Sequence, residues 1–303
     1  MGADRRLNHA FLHAKVLPLT PSSRYVLISD CHRGIGTSND NFLKNQNLYF
    51  AALQHYFARG FTYLELGDGD ELWENRSFAA IKSIHNNTFW MLSRYYREGR
   101  LYMLYGNHDM VKKEGRYAAH HYTYYPCSTC QEKELFPGIT FYEGIILKNA
   151  QSEKDIYLTH GHQADFFNSV LWKTSRFLVR YIWRPLEQIG FLDPTSAAKN
   201  NTKKKKTEQV LSEWAAKKGC LLITGHTHRP MLEPSASYYN TGSCVHPRCI
   251  TCIEIEALKI TLVKWTLATR KDRSLYVARE VLSGPLSLKN ETPCDIENPS
   301  EIC

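Results

Sequence analysis

The 303-residue sequence has no apolar run long enough to span a membrane, for which about 20 consecutive apolar residues are needed. Met1 to Ser23 also lacks the uninterrupted apolar segment of an export signal, and Arg6 spoils a myristoylation pattern. These absences argue against a membrane anchor and make a cytoplasmic protein the expectation. Acidic residues are in deficit: 30 Asp and Glu stand against 38 Lys and Arg, a net charge of +8. Anionic partners are therefore favoured, such as phosphorylated metabolites, nucleic acid or an anionic lipid surface. No aromatic and basic recognition module for nucleic acid is evident, which places nucleic acid behind a small phosphorylated substrate.

Nine cysteines, an odd number, in a chain too long to need disulfide staples read as reduced thiols. Two Cys-x-x-Cys pairs, Cys127/Cys130 and Cys249/Cys252, have together the composition of a four-thiolate zinc site. They lie far apart in sequence, and strand alternation around Ile250 points Cys249 and Cys252 to opposite faces. Incidental thiols are the favoured reading. A content of 43% aliphatic and aromatic and 22% charged residues is that of a globular chain with a sizeable core.

What the chain does have is a repeated grammar in which an apolar strand runs into a polar cluster. Tyr25–Ser29 leads into Asp30-Cys31-His32-Arg33-Gly34, and Phe61–Leu66 into Gly67-Asp68-Gly69-Asp70-Glu71-Leu72-Trp73. Leu101–Tyr105 leads into Gly106-Asn107-His108-Asp109, Ile156–Thr159 into His160-Gly161-His162, and Cys220–Thr224 into Gly225-His226-Thr227-His228-Arg229-Pro230. Asn41–Arg59 and Phe78–Glu98 have helical spacing between the first three strands, which predicts an α/β fold. Tyr238–Thr241, Ile250–Ile255 and Ile260–Leu267 read as consecutive strands closing a second sheet. Ligands of open α/β sheets bind at the carboxyl ends of the strands, and five such ends here present Asp, His and Asn. Those oxygen and nitrogen donors suit manganese, iron or zinc.

Asp-x-His, Gly-Asp-x-x-Glu, Gly-Asn-His-Asp, a lone His and Gly-His-x-His, in that order from Asp30 to His228, resemble the signature of the calcineurin-like metallophosphoesterases. The resemblance covers about three quarters of the chain. It implies a two-sheet α/β/β/α sandwich and two divalent metal ions, with manganese expected and iron or zinc as alternatives. By the same resemblance Asp30, His32 and His228 hold one metal, Asn107, His160 and His226 the other, and Asp68 bridges them. Asp70 also follows a glycine, but the family pattern puts the bridge directly after the first one. His108 is implied as the proton donor, with Asp109 orienting it and keeping it cationic. Arg33 and Arg229, next to metal ligands, are candidates to grip substrate phosphate.

The physical case runs beside the resemblance. Two metals about 3.5–4 Å apart need one shared carboxylate and share a hydroxide that is nucleophilic at neutral pH. Two divalent ions less two carboxylates and one hydroxide leave a positive site, which favours a phosphoryl transition state. Glu71-Leu72-Trp73, Gly225–Pro230 and Asn240-Thr241-Gly242-Ser243 further resemble the branch containing UDP-2,3-diacylglucosamine pyrophosphohydrolases. That branch typically carries Arg where this chain has His108.

The expected organisation is an N-terminal extension over 1–22, a metallophosphoesterase domain over 23–282 with a helical insert about 166–218, and a loosely ordered tail over 283–303. In the insert, Arg176, Arg180 and Arg184 form a stripe on a helix beside an apolar face of Val170, Leu171, Phe177, Leu178, Tyr181 and Ile182, with Trp172 and Trp183 flanking. Such a surface suits a membrane interface or a lipid-linked substrate, and equally a cap packed on the core. Lys203–Lys206 reads as a solvated loop. The leading function is hydrolysis of a phosphoester or pyrophosphate in a nucleotide-linked or lipid-linked substrate. A nuclease or nucleotide phosphodiesterase using the same centre is the alternative, and a metal-binding scaffold without turnover the third.

Overall fold

The computed structural model describes residues 2–37, 40–126, 132–152, 154–183 and 201–289. In chain order the strands are β1 (Lys15–Leu19), β2 (Arg24–Ile28), β3 (Thr62–Leu66), β4 (Leu101–Leu104), β5 (Tyr124–Pro126), β6 (Glu132–Glu134), β7 (Phe141–Tyr142), β8 (Gly144–Asn149), β9 (Ile156–Thr159), β10 (Leu221–Thr224), β11 (Tyr238–Asn240), β12 (Cys249–Glu256), β13 (Lys259–Thr269) and β14 (Leu275–Ser287). The helices are α1 (Ala3–Ala10), α2 (Gln46–Ala58), α3 (Phe78–Ile84), α4 (Asn86–Arg97), α5 (Gly115–His121), α6 (Phe166–Ser169), α7 (Trp172–Leu178) and α8 (Asn201–Lys218). Seven strands form one sheet in the order β14-β13-β12-β2-β3-β4-β7, and five form the other in the order β1-β8-β9-β10-β11. The mixed α/β sandwich read from the sequence is the fold.

Strand alternation explains the layering. In β2, Val26 and Ile28 face the core beneath α2 and α4, which supply Tyr49, Leu53, Tyr56, Leu92 and Tyr95. Tyr25 and Leu27 face the other way, joining Leu64, Leu66, Leu104, Ile145, Leu158, Ile223 and Ile253 between the two sheets. A strand buried on both faces has no polar side to show, hence the continuous apolar runs. On the outer face of the five-stranded sheet, Leu7 of α1 and Leu211, Trp214 and Ala215 of α8 cover Leu222 and Tyr238. The layers are α/β/β/α.

Several expectations change. The strands after His228 do not close a sheet together: β11 pairs parallel with β10, whereas β12 pairs with β2 and extends the other sheet through β13 and β14. The segment expected to be an N-terminal extension supplies α1 and β1, and β1 pairs parallel with β8. Strand β14 runs through Ser287, so 283–287 belong to the sheet and not to a tail. Lys203–Lys206 lies in the first turns of α8, because lysine is a good helix former and Leu211, Trp214 and Ala215 anchor the turns that follow. The helical stretch 78–98 is two helices, broken at His85, which is buried on Asp40 at 3.0 Å. Cys249 is partly exposed and Cys252 is buried beside Tyr56 Oη at 3.3 Å. Cys127 and Cys130 lie outside the described residues. No helix among the described residues is long and apolar enough to cross a membrane.

Candidate metal centre

All five strand ends meet at one edge of the sandwich, three from the seven-stranded sheet and two from the five-stranded one. The turns that bring them together are strained. Asp30, His32, Asp68, His226 and His228 have φ of 52°, 48°, 51°, 68° and 57°, left-handed values that cost a non-glycine residue about 1–3 kcal/mol. Neighbouring loops hold them there: Asp30 N donates to Gly67 O (3.1 Å), His32 N to Asp68 O (2.9 Å) and Gly225 N to His160 O (3.0 Å). Two glycines make the approach possible. A Cβ at Gly106 would fall 2.1 Å from Asp68 Oδ1, and one at Gly225 would fall 2.2 Å from Asp30 Oδ2.

The side chains gather into two sets. Asp30, His32 and His228 offer ligand atoms all within 4.8 Å of one another, as do Asp68, His160 and His226. Asp68 Oδ2 stands 3.1 Å from His160 Nε2 and 3.8 Å from His32 Nε2, so this carboxylate touches both sets. Asn107, in the turn that follows β4, is buried with Oδ1 unpartnered. Asp70, the rival bridge, points elsewhere and is bonded by Arg33 Nε (2.7 Å), Tyr122 Oη (2.7 Å) and Lys112 Nζ (2.9 Å).

Three observations show that the site fits divalent cations. Asn107 Oδ1 and His226 Nε2 are buried without hydrogen-bond partners, although such atoms are almost always satisfied in folded proteins, and Asp30 Oδ1 and His160 Nε2 meet only fellow candidate ligands, His228 Nε2 and Asp68 Oδ2, each at 3.1 Å. His160 Nδ1 lies 2.8 Å from Leu66 O, a pure acceptor, so Nδ1 carries a proton and Nε2, beside Asp68, is the atom free to serve as ligand. His32 and His228 likewise bring their Nε2 atoms within 3.4 Å of each other. Finally, the cationic partners that meet the buried carboxylates Asp30, Asp68 and Glu71 are imidazoles of His32, His108, His160 and His228, so these carboxylates can take up the positive charge of divalent ions. In the metal-free protein protons stand in: burial pulls His160 down, but Asp68 prevails and pushes it up to about 9.

The family model described as Calcineurin-like phosphoesterase matches residues 23–230. The chain belongs to this family. Membership implies divalent metals and metal-dependent phosphoester hydrolysis. Among solved structures, Chaetomium thermophilum Vps29 is similar at 13% identity and a TM-score of 0.38, over 87% of this chain and 97% of that one. The same Vps29 complexed with the RaPID-derived cyclic peptide RT-D3 is similar at 11% identity and a TM-score of 0.34, with the same coverage. No curated protein matches the sequence.

Around this candidate metal centre, two residues do other work than the sequence suggested. Asp109 does not orient His108. Its Oδ1 accepts from Gly106 N (2.7 Å), and its Oδ2 from Gly69 N (3.0 Å), Asp70 N (3.3 Å) and Lys112 Nζ (2.5 Å). Glu71 takes that place instead, 2.8 Å from His108 Nδ1 and 2.8 Å from His32 Nδ1. Burial lowers His108, but Glu71 and then Asp68 outweigh it and hold the imidazole above its ordinary value. Trp73 stacks on the same ring at 4.3 Å and 24°. The acidic position three residues after Asp68 was the signal that pointed to Glu71.

Arg33 does not face the metals. Alternation along the chain sends Asp30 and His32 into the site and Cys31 and Arg33 to the opposite side. There Arg33, fully buried, binds Glu65 through two nitrogens (2.8 and 3.0 Å) and Asp70 through Nε. Arg229 lies at the surface, half exposed, 3.2 Å from Glu208. In the insert the apolar face is exposed, as a contact surface requires, but Trp172 and Arg180 are turned inward. Arg176 stacks on Trp172 at 4.9 Å. Arg184 lies outside the described residues.

Proposed function

We propose that this chain hydrolyses a phosphoester or pyrophosphate bond with two divalent metal ions, manganese foremost. Asp30, His32 and His228 would hold one ion, Asn107, His160 and His226 the other, and Asp68 both. When bound, the ions supply Lewis-acid activation of water and of the phosphoryl group. The observation that supports the reading is the convergence of Asp30, His32 and His228, and of Asp68, His160 and His226, each set with ligand atoms within 4.8 Å of one another, together with the unpartnered buried atoms Asn107 Oδ1 and His226 Nε2.

The protein's own part is proton and charge management. His108 Nδ1 is engaged by Glu71, which leaves Nε2 as the atom that gives a proton to the departing oxygen. Glu71 favours the imidazolium and fixes its orientation, and Trp73 restricts the ring to one plane. A lipid-linked substrate of the kind cleaved by UDP-2,3-diacylglucosamine pyrophosphohydrolases is the finer reading. Phe166, Phe167, Val170, Phe177, Tyr181 and Ile182, all exposed on the insert, support it, since contiguous exposed apolar surface marks a site of contact. The same face is the candidate for peripheral membrane contact.

The test is manganese-dependent hydrolysis of a phosphomonoester, a phosphodiester and a UDP-sugar pyrophosphate, by wild type and His108→Ala. Turnover of one of them is expected, falling about 100-fold or more in the variant. Absence of turnover on all three from protein carrying two metals per chain would remove the hydrolase reading in favour of a metal-binding scaffold.

A further inference from the structure

Between the insert and the centre runs a connection that neither the family motifs nor the metal sets contain. After α7 the chain makes one wide π-helical turn, Val179–Trp183; such turns shift the register of the side chains that follow and are frequent at functional sites. Arg180 lies in that turn. Its Nε donates to Trp73 O (2.7 Å), and its Nη2 donates to Leu72 O (2.6 Å) and Asn75 O (3.3 Å). All three acceptors are main-chain carbonyls of a single loop, 72–75. A second tie joins the same segments, because Arg76 Nη2 donates to Tyr181 Oη and its guanidinium lies over the Tyr181 ring at 5.2 Å.

The loop that Arg180 grips is the one that holds His108. Glu71 Oε1 accepts from Trp73 N and Glu74 N, both at 3.2 Å, and Asn75 Nδ2 donates to Glu71 O at 2.9 Å. Glu71 therefore keeps its position only while 72–75 keeps its fold, and Trp73 keeps its ring on His108 on the same condition. A guanidinium is suited to this task because its planar fork addresses several carbonyls at fixed angles, which a lysine ammonium on a flexible stem does not.

We propose that Arg180 is a positioning residue for the phosphoesterase reaction, acting from the insert through loop 72–75 to set Glu71 and Trp73 against His108. The proposal rests on the reading of His108 as proton donor. It makes the insert part of the catalytic apparatus.

The experiment uses the full chain as wild type, Arg180→Ala, Arg180→Lys and Lys173→Ala, the last an exposed insert residue that touches no part of the loop. Steady-state kinetics with manganese are paired with metal content and with the His108 ring resonance in histidine-labelled protein loaded with magnesium, assigned by its loss in His108→Ala. In wild type the Trp73 stack shifts that resonance upfield. Arg180→Ala is expected to lose the shift and to lower kcat about 10- to 100-fold, with KM within about twofold and two metals retained. Arg180→Lys should fall between, and Lys173→Ala should match wild type. A lowered melting temperature with kcat and the resonance unchanged would make Arg180 a merely structural tie and overturn the proposal. If Arg180→Ala does not fold, Arg180→Lys decides by the same two readouts. If wild type turns over no substrate, the hydrolase reading fails separately, and the resonance alone tells whether Arg180 positions His108: an unmoved signal in both variants rejects it.

Discussion

Glu71 and Asp109 are both buried carboxylates within reach of the metal loops, yet their surroundings give them different tasks. Glu71 meets two imidazoles, His32 and His108, besides accepting from the amides of Trp73 and Glu74. Asp109 spends its own on three backbone N–H groups and on Lys112, tying the loop after β3 to the loop after β4. Removing them should separate chemistry from stability. Glu71→Gln is expected to lower kcat by about 10- to 100-fold, as loss of a carboxylate behind a ligand or acid histidine does, with little change in unfolding free energy. Asp109→Ala leaves three buried amides without their acceptor and Lys112 with Asp70 as its remaining close carboxylate, a loss of about 1–3 kcal/mol that urea unfolding would detect. If Asp109→Ala instead folded normally and lost only turnover, the assignment of the two carboxylates would be reversed.

Among the elements, the break between α3 and α4 shows how a loop next to the centre is fixed. His85 ends one helix and begins the next, and its Nε2 lies 3.0 Å from Asp40 Oδ2. Asp40 also accepts from Gly36 N and Leu43 N, both at 3.0 Å, closing the loop after β2. Burial would raise Asp40, but the bonds from His85 and the amides prevail and hold it below the usual carboxylate range. The sign follows: a carboxyl depressed in the folded state stabilises above its unfolded pKa of about 3.9. That contribution is lost as pH falls through the lower folded value. Stability measured by denaturant between pH 5 and 3 should therefore fall more steeply in wild type than in Asp40→Asn, and equal slopes would remove Asp40 as the source. The helix break itself was illegible in the sequence, because 78–98 keeps helical spacing throughout and only the tertiary partner Asp40 tells that His85 turns inward.

On the scale of the whole molecule, the centre is where the two sheets are joined at their strand ends. Asp30, His32, Asp68 and Asn107 follow strands of the seven-stranded sheet, and His160, His226 and His228 follow strands of the five-stranded one. Bound metals would clip the sheets together. Adding manganese to chelator-stripped protein should raise the melting temperature, with about 2.7 kcal/mol of stabilisation at 100 times the dissociation constant. Calorimetry across a manganese titration measures it. Asp68→Ala, which removes the carboxylate common to both sets, should abolish most of the rise, and an undiminished rise would show that the metal binds elsewhere.

The order of the five motifs and the family resemblance they carry made it legible that Asp30, His32, Asp68, His160, His226 and His228 gather at one place, because each motif follows an apolar strand directly and the strand carries it to a fixed end. The α/β layering was legible for the same reason, since runs such as Tyr25–Ile28 are apolar on both faces. The tertiary structure decided everything that depends on which face of a turn a side chain leaves. Arg33 is adjacent to His32 yet fully buried on Glu65 and Asp70, Glu71 and not Asp109 holds His108, and the insert turns Arg180 inward and its apolar face outward. A linear motif fixes the order of donors along the chain. Left-handed turns, the division of strands between two sheets and one wide helical turn set their directions, and those arise only when distant segments pack.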